Sequence, residues 1–127
     1  MDLVYIILAA GSSERFKTKV NNIEKQFNLI NGKSILEICV ENFIKLDLNI
    51  KLFLVVSEKR YNDAVVISNK YKLPLPIIGG KTRQESVFKA LKKIEIYKPK
   101  NVIIHDAARP YINKNVIEKL ISNIKKK

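Results

Sequence analysis

The chain has 127 residues, with 24 lysines and arginines against 12 aspartates and glutamates, which gives a net charge of +12. Its composition is 46% hydrophobic and 28% charged, which excludes disordered and low-complexity proteins and predicts one domain with its own core. The single Cys39 excludes an intramolecular disulfide and a multi-cysteine zinc site. The longest apolar run, residues 3–10, is too short to cross a bilayer, so we expect no targeting segment, no membrane association and a cytoplasmic location.

The basic excess does not by itself indicate a nucleic-acid partner. Lysine supplies 20 of the 24 cations and accompanies 19 isoleucines and 12 asparagines, a composition typical of AT-rich coding. The lysines are spread from Lys17 to Lys127 and are not interleaved with aromatic residues that stack on bases. We therefore expect no nucleic-acid partner, and a nucleic-acid-binding module ranks last among the alternatives.

Apolar runs alternate with segments of helical periodicity along the chain. Strands are predicted at residues 3–8, 50–56, 75–78 and 102–104. Helices are predicted to begin at Ser34, within the segment 57–71, at Thr82 and at Asn113. Ser34 and Thr82 are each followed by a glutamate at the spacing of a capping box, and asparagine is a favoured N-cap residue.

This alternation predicts a single α/β domain with a Rossmann-like, doubly wound and mainly parallel sheet. Functional sites in such sheets lie at the carboxyl ends of the strands. Three segments with small or charged residues follow predicted strands, at residues 9–15, 79–86 and 105–110, and we expect them to form the site. Cys39 falls among the apolar positions of the first helix and is interpreted as a buried core thiol.

The segment after the first strand has the composition of a phosphate-binding loop. Its small and hydroxyl-bearing residues would let donors approach an anion, and they are Ala9, Ala10, Gly11, Ser12 and Ser13. Arg15 adds positive charge, and Lys25 is either a second cation of the same loop or a solvated surface residue. The alternative for the whole segment is an ordinary turn with a solvated arginine.

The segment after the third strand begins with two glycines and leads into a capped helix. Gly79 and Gly80 would allow backbone groups to read the edge of a base, and the helix N-terminus adds positive potential. The alternative is a tight turn in which one of these glycines has a positive φ.

The segment after the fourth strand carries His105, Asp106 and Arg109. Asp106 suits metal coordination or a sugar hydroxyl, and Arg109 suits a phosphate, whereas a salt bridge between the two is the competing explanation. His105 is interpreted as the partner in a buried hydrogen bond at the strand end in preference to a catalytic base.

Taken in order, four motifs resemble those of the 2-C-methyl-D-erythritol 4-phosphate cytidylyltransferases of the non-mevalonate isoprenoid pathway. The motifs are Leu8-Ala-Ala-Gly-x-x-x-Arg, Lys25-Gln-Phe, Gly79-Gly-x-x-Arg-x-x-Ser-Val and His105-Asp-Ala-Ala-Arg-Pro. The resemblance covers essentially all 127 residues but only the N-terminal part of the family's catalytic domain. It implies a nucleotidyltransferase-type domain, residues 1–127, that lacks its C-terminal part.

The resemblance also implies an activity, the transfer of CMP from CTP to a sugar-alcohol phosphate with Mg²⁺ bound and pyrophosphate released. Arg15 and Lys25 match the family's two transition-state stabilisers, and the residues from Ala9 to Arg15 match its nucleotide loop. The positions that match the surroundings of the cytosine are Gly80, Lys81 and Ser86. Asp106 and Arg109 match the segment near the ribose, the metal and the acceptor phosphate, with Asp106 as the metal ligand.

This sequence departs from the family pattern at Ser13 and Glu14, where many members have Gly and Arg, and at Glu24, where a proline is common. The family's remaining acceptor-binding residues and its dimerisation arm match nothing in this chain. A homodimer is therefore implied only for the full-length family, and we expect no turnover from residues 1–127 alone. Two alternatives stay open: a ribitol-5-phosphate cytidylyltransferase and a noncatalytic nucleotide-binding remnant.

Overall fold

A computed structural model describes residues 3–10, 29–30, 33–109 and 113–125. The strands in these ranges are β1 (Leu3–Ala9), β2 (Leu29–Ile30), β3 (Lys33–Ser34), β4 (Lys51–Val56), β5 (Ile77–Ile78) and β6 (Asn101–Asp106). The helices are α1 (Ile35–Lys45), α2 (Tyr61–Lys70), α3 (Arg83–Ile94) and α4 (Lys114–Lys125). Short 3₁₀ helices precede α2 at Glu58–Arg60 and follow α3 at Glu95–Tyr97.

The main sheet is parallel, with its strands in the order β5-β4-β1-β6. The central strand β1 pairs with β4 on one side and with β6 on the other, so that Leu8 lies opposite both Val55 and Asp106. Because the strands run in the same direction, their carboxyl ends meet at one edge of the sheet. The predicted parallel α/β architecture is confirmed.

Alternate residues of β1 face opposite sides of the sheet, as the twofold periodicity of a strand requires. Tyr5, Ile7 and Ala9 belong to a core that also contains buried side chains of α1, α2 and α4. Val4, Ile6 and Leu8 face the other side, where buried Ala90 and Ile94 of α3 cover them. All six of these β1 side chains are at most 4% exposed, so the strand is buried on both faces, as its continuous apolar run predicts.

Three helices begin at the residues that the sequence indicates. The Ser34 hydroxyl accepts a hydrogen bond from the Glu37 N–H at 3.0 Å, and the Thr82 hydroxyl accepts one from the Glu85 N–H at 3.1 Å. The Asn113 carboxamide oxygen accepts from the Asn115 N–H at 2.9 Å. These bonds satisfy N–H groups that have no partner inside a helix.

Cys39 lies in the core on α1 and is fully buried. Burial raises the pKa of its thiol to about 12, because the charged thiolate is disfavoured away from water. The interpretation of Cys39 as a buried core thiol is confirmed.

Two parts of the fold differ from the sequence-based expectation. The predicted strand at 75–78 is reduced to the two residues of β5, since Pro74 and Pro76 have no N–H to donate and Leu75 is 63% exposed. An antiparallel pair, β2 and β3, lies in the region that we expected to be a loop. Each of its strands has two residues, too few for an alternating pattern to reveal.

The strand β6 is less buried than its composition suggests. All six of its residues are only partly buried, although Val102, Ile103 and Ile104 are as apolar as the centre of β1. Within the described residues, β6 has one partner strand in the main sheet, which leaves its other edge open.

Within the described ranges, no helix combines the length and the apolar character needed to cross a bilayer.

Candidate functional site

The structure brings the three predicted site segments to the same edge of the sheet. Ala10 follows β1, the glycine pair follows β5, and Asp106 is the last residue of β6. The predicted site residues among the described ones are Ala9, Ala10, Gly80, Lys81, Ser86, Asp106 and Arg109. The others lie outside the described residues and are Gly11, Ser12, Ser13, Arg15 and Lys25.

The segment after β1 and the turn after β5 are in direct contact through Gly79. A Cβ atom added to Gly79 would lie 2.6 Å from the Cβ atom of Ala10 and 2.6 Å from the Ser86 hydroxyl oxygen. Neither Gly79 nor Gly80 has a positive φ, so the interpretation of the pair as a positive-φ turn is wrong. These glycines are needed because the side chains of Ala10, Ser86 and Glu85 approach them closely.

The buried hydroxyl of Ser86 holds the turn after β5 in shape. It accepts a hydrogen bond from the Gly80 N–H at 3.0 Å and lies 3.4 Å from the Gly80 carbonyl oxygen, to which it donates. Gly79 adds a backbone bond from its N–H to the Val56 carbonyl at 2.7 Å, which ties the turn to the end of β4. The predicted site residues Gly80 and Ser86 are thus brought together, with Ser86 in direct support of Gly80.

Glu85, in the first turn of α3, also binds the turn after β5, a contact that the sequence analysis did not predict. Its carboxylate accepts a hydrogen bond from the Lys81 N–H at 3.0 Å, while its own N–H is bound by Thr82. In a capping box the carboxylate would return to the N-cap residue, and here it reaches one residue further back. The capping-box spacing was the signal that could have placed this carboxylate near the turn.

Asp106 forms an ion pair with Arg83, the first residue of α3. The Arg83 Nε atom lies 3.5 Å from the Asp106 Oδ1 atom, with the two side chains 61% and 47% exposed. The salt bridge between Asp106 and Arg109, which was the competing explanation, does not form in the described structure. Those two residues share a backbone bond, from the Arg109 N–H to the Asp106 carbonyl at 3.0 Å. Arg83 is the arginine of the Gly79-Gly-x-x-Arg motif, but the sequence assigned it no role, because its approach to Asp106 depends on where α3 starts above the sheet.

His105 makes hydrogen bonds through both of its ring nitrogens. Nδ1 lies 3.1 Å from the Tyr5 hydroxyl, and Nε2 lies 2.6 Å from the Arg109 carbonyl oxygen. These contacts agree with the interpretation of His105 as a structural residue at the end of the strand. They leave neither nitrogen available as a catalytic base in this arrangement.

The edge therefore presents cations, the exposed carboxylates of Glu85 and Asp106, and a helix N-terminus. Lys81, Arg83 and Arg109 have exposed side chains, and α3 directs its N-terminal end toward the same region. Positive side chains and a helix N-terminus together favour phosphate groups. Among the residues that the structure describes, no group of three or more His, Cys, Asp or Glu side chains is placed to hold a metal ion.

Comparison with known proteins identifies relatives along almost the whole chain. The family model of IspD, 2-C-methyl-D-erythritol 4-phosphate cytidylyltransferase, matches residues 3–127. The protein of that name from Thermosipho africanus is 42% identical over 127 residues, which cover 97% of this chain and 54% of the relative. The one from Thermotoga neapolitana is 40% identical over 119 residues, which cover 93% of this chain and 52% of the relative.

Solved structures show the same similarity in three dimensions. The 4-diphosphocytidyl-2C-methyl-D-erythritol synthase of Anaerococcus prevotii superposes with a TM-score of 0.74 at 25% identity, over 98% of this chain and 52% of that one. The bifunctional IspDF of Campylobacter jejuni superposes with a TM-score of 0.75 at 29% identity, over 99% of this chain and 31% of that one. The chain spans about half the length of the curated relatives from Thermosipho and Thermotoga. Since the family model covers nearly every residue, the chain belongs to the 2-C-methyl-D-erythritol 4-phosphate cytidylyltransferase family.

Proposed function

We propose that the protein transfers CMP from CTP to 2-C-methyl-D-erythritol 4-phosphate and releases pyrophosphate, as a step of non-mevalonate isoprenoid synthesis. The observation that carries this proposal is the contact of Gly79 with Ala10, which joins the predicted phosphate loop to the predicted base-reading turn. A nucleotide spans these two functions, because its base and its phosphates must be held at the same time. The names of the relatives supply the identity of the nucleotide and of the acceptor.

The triphosphate would be held by the loop from Ala9 to Arg15. Backbone amides of such a loop bind phosphate oxygens, and Arg15 and Lys25 would stabilise the charge that develops during attack at the α-phosphate. The base would lie against Gly80, Lys81 and Ser86. Ser86 is fully buried and bonded to Gly80, so it would keep the backbone there in one conformation for recognition of the base.

Magnesium is the cofactor that this chemistry calls for. When bound, it would neutralise negative charge on the phosphate oxygens. Mg²⁺ in nucleotide sites commonly takes one or two carboxylates and completes its ligands from phosphates and water. Asp106 fits this donor set, since its carboxylate is about half exposed at the edge where the phosphates would lie.

The acceptor phosphate would bind to the exposed guanidinium of Arg109, whose planar donors match a phosphate. Arg109 lies three residues beyond Asp106, in the same turn, so acceptor and metal would lie side by side. Other acceptor contacts and a homodimer are expected from the remainder of the family fold. Because CTP and sugar phosphates are cytoplasmic metabolites, we propose that the protein acts in the cytoplasm.

The nucleotide part of the proposal is tested with the chain itself. Calorimetric titration in the presence of Mg²⁺ should show tighter binding of CTP than of ATP or GTP, because the turn at Gly80 reads the base. Equal affinity for the three nucleotides, or none for any of them, would refute nucleotide selection by this site.

The acceptor part is tested by pyrophosphate release from the protein expressed over its full natural length. Methylerythritol phosphate should support turnover and ribitol 5-phosphate should not; the reverse result would assign the protein to the ribitol alternative. Residues 1–127 alone should not turn over, and a rate near 1 per second, an ordinary enzyme rate, would contradict this expectation. CTP binding without turnover by the full-length protein would favour a noncatalytic nucleotide-binding role.

A further inference from the structure

The side chain of His105 connects the core to the turn that carries Arg109. On the core side it contacts Tyr5, a fully buried residue of β1 whose ring packs on that of Phe43 with centroids 4.6 Å apart. On the turn side it contacts the backbone carbonyl of Arg109 at 2.6 Å. A side chain at the end of β6 is thus bonded at both ends, once to the core and once to the turn.

The chemistry of the two partners assigns the donors and acceptors in this connection. A carbonyl oxygen can only accept, so the Nε2 atom of His105 carries the hydrogen that is donated to Arg109. In the neutral ring Nδ1 is then an acceptor, and the Tyr5 hydroxyl donates to it. Burial raises the pKa of the Tyr5 phenol well above its ordinary value, which keeps that hydroxyl protonated.

Both backbone polar groups of Arg109 are engaged within the turn. Its N–H donates to the Asp106 carbonyl at 3.0 Å, and its carbonyl accepts from His105. The same turn is bonded to β1 by the Ala107 N–H, which donates to the Leu8 carbonyl at 2.9 Å. The backbone of Arg109 is therefore fixed while its side chain remains exposed to solvent.

We propose that His105 is a positioning residue, which sets the backbone of Arg109 for binding of the acceptor phosphate and is itself oriented by the Tyr5 hydroxyl. The identity of the ligand rests on the proposed function, but the hydrogen-bonded connection does not. A purely structural His105 would only satisfy the buried hydroxyl of Tyr5. The positioning role differs because it makes phosphate binding depend on the bond to the Arg109 carbonyl.

The first test uses the fact that His105 is the only histidine of the chain, so its ring signals need no further assignment. Long-range ¹H–¹⁵N spectra of the 127-residue chain should show the tautomer with hydrogen on Nε2. Tyr5→Phe keeps the core ring but removes the donor to Nδ1, and should shift the tautomer populations. Tyr97→Phe, which removes the hydroxyl of a tyrosine outside this connection, should leave them unchanged. Hydrogen on Nδ1 in the unmodified chain, or no response to Tyr5→Phe, would overturn the proposal.

The second test compares His105→Leu, which has no ring donor, with His105→Gln, whose amide can still donate to the carbonyl. In the protein expressed over its full natural length, His105→Leu should raise KM for the acceptor phosphate about tenfold, with KM for CTP unchanged. His105→Gln should recover most of the loss, and thermal unfolding should verify that both variants fold.

The possible results separate this proposal from the proposed function. An equal rise in KM for both substrates, or no rise for the acceptor, would overturn positioning of Arg109 while leaving the cytidylyltransferase activity intact. Absence of turnover in the unmodified protein would instead count against the proposed function. In that case the chemical shift of the Arg109 backbone amide tests the positioning role. It should change in His105→Leu but not in His105→Gln. An unchanged shift in His105→Leu would overturn the proposal.

Discussion

Gly79 lies so close to Ala10 that a methyl group added to Gly79 would lie 2.6 Å from the Ala10 Cβ atom. Real Cβ atoms do not approach other carbon atoms to this distance, so one of the two segments would have to move. Ala10, directly after β1, and the turn after β5 are therefore packed against each other without spare room. Any change in the distance between these two segments should change the affinity for a ligand that contacts both.

We predict that Gly79→Ala destabilises the chain by about 1–3 kcal/mol, because it overpacks this contact. It should also weaken CTP binding about tenfold or more, as measured by calorimetry, since the two segments are pushed apart. The double variant with Ala10→Gly removes one of the two clashing atoms and should recover part of both losses. Purely additive effects of the two substitutions would contradict a steric origin.

The buried serines Ser86 and Ser68 form a matched pair for a second prediction. Both are fully buried, but the Ser86 hydroxyl binds the Gly80 N–H, whereas the Ser68 hydroxyl has no hydrogen-bond partner within the described part of the chain. Ser86→Ala should lower the free energy of unfolding by about 1 kcal/mol, because it leaves the partly buried Gly80 N–H without its acceptor. Ser68→Ala should be neutral or stabilising. Urea denaturation of the two variants measures the difference, and equal losses would show that the hydrogen bond to Gly80 contributes little.

A third prediction concerns the hydroxyl of Tyr71, whose single hydrogen is shared between the carboxylates of Glu37, at 2.8 Å, and Glu41, at 2.9 Å. Burial raises the pKa of Glu37, but the hydrogen bonds from Lys70 and Tyr71 outweigh it and lower the pKa overall. The pKa of Glu41 is lowered by its hydrogen bonds from Lys33 and Tyr71. A carboxyl whose pKa is lower in the folded state than in the unfolded state stabilises the fold at pH values above its ordinary pKa of 4.5. This stabilisation is lost as the pH falls below that value and through the lowered folded-state pKa.

Tyr71→Phe should therefore destabilise the chain by about 1–3 kcal/mol near pH 7, because two charged acceptors lose a donor. The difference from the unmodified chain should shrink as the pH falls below the ordinary glutamate pKa of 4.5 and through the lowered folded-state pKa values of the two glutamates. Unfolding measured between pH 3 and 7 gives the profile, with Tyr97→Phe as the control that should show no such profile. A difference that does not depend on pH would contradict the assigned bonds.

The fourth prediction concerns Arg15 and Lys25, whose roles rest on the resemblance to the family. In the protein at its full natural length, Arg15→Ala or Lys25→Ala should lower kcat about a hundredfold or more while changing CTP affinity much less. Lys89→Ala, which removes an exposed lysine of α3, should change neither. Loss of affinity with kcat preserved would instead show that these cations hold the ground-state triphosphate.

The last prediction concerns apolar side chains that α3 exposes. Phe88 and Leu91 are 62% and 42% exposed, on the only described helix that covers its side of the sheet. We expect the 127-residue chain to associate as its concentration rises, because such exposed apolar surface favours contact between molecules. Phe88→Gln with Leu91→Gln should reduce association in sedimentation experiments, whereas Lys89→Gln should not. Unchanged association of the double variant would locate the contact elsewhere.

The strands and helix starts could be predicted from the sequence because their signals are local. The apolar run of β1 and the caps at Ser34, Thr82 and Asn113 each depend on neighbouring residues. The helix ends could not be predicted, since Asp47, Lys72 and Lys98 adopt the left-handed conformation where a glycine is the usual signal.

The side-chain contacts between elements were the other part that the sequence could not reveal. The Glu37 carboxylate was expected to complete the cap of α1, but it binds Lys70 and Tyr71, more than thirty residues away. The ion pair of Asp106 with Arg83 likewise joins two elements that are distant in sequence. The partners of these side chains depend on how the helices are placed over the sheet. The hydrophobic periodicity of the sequence does not predict that placement.

The central position of β1 has a consequence for how the chain folds. Val4 lies opposite Lys51 on one side and Val102 on the other, so β1 needs a partner strand that lies about one hundred residues later in the chain. Pairings between residues so distant in sequence are slow to form, because a long loop must close before they contribute stability. The apolar β1 segment therefore remains without β6 until the ribosome has released residues 101–106. We therefore expect the pairing of β1 with β6, and not the formation of the helices, to be the slow step in assembling the described sheet.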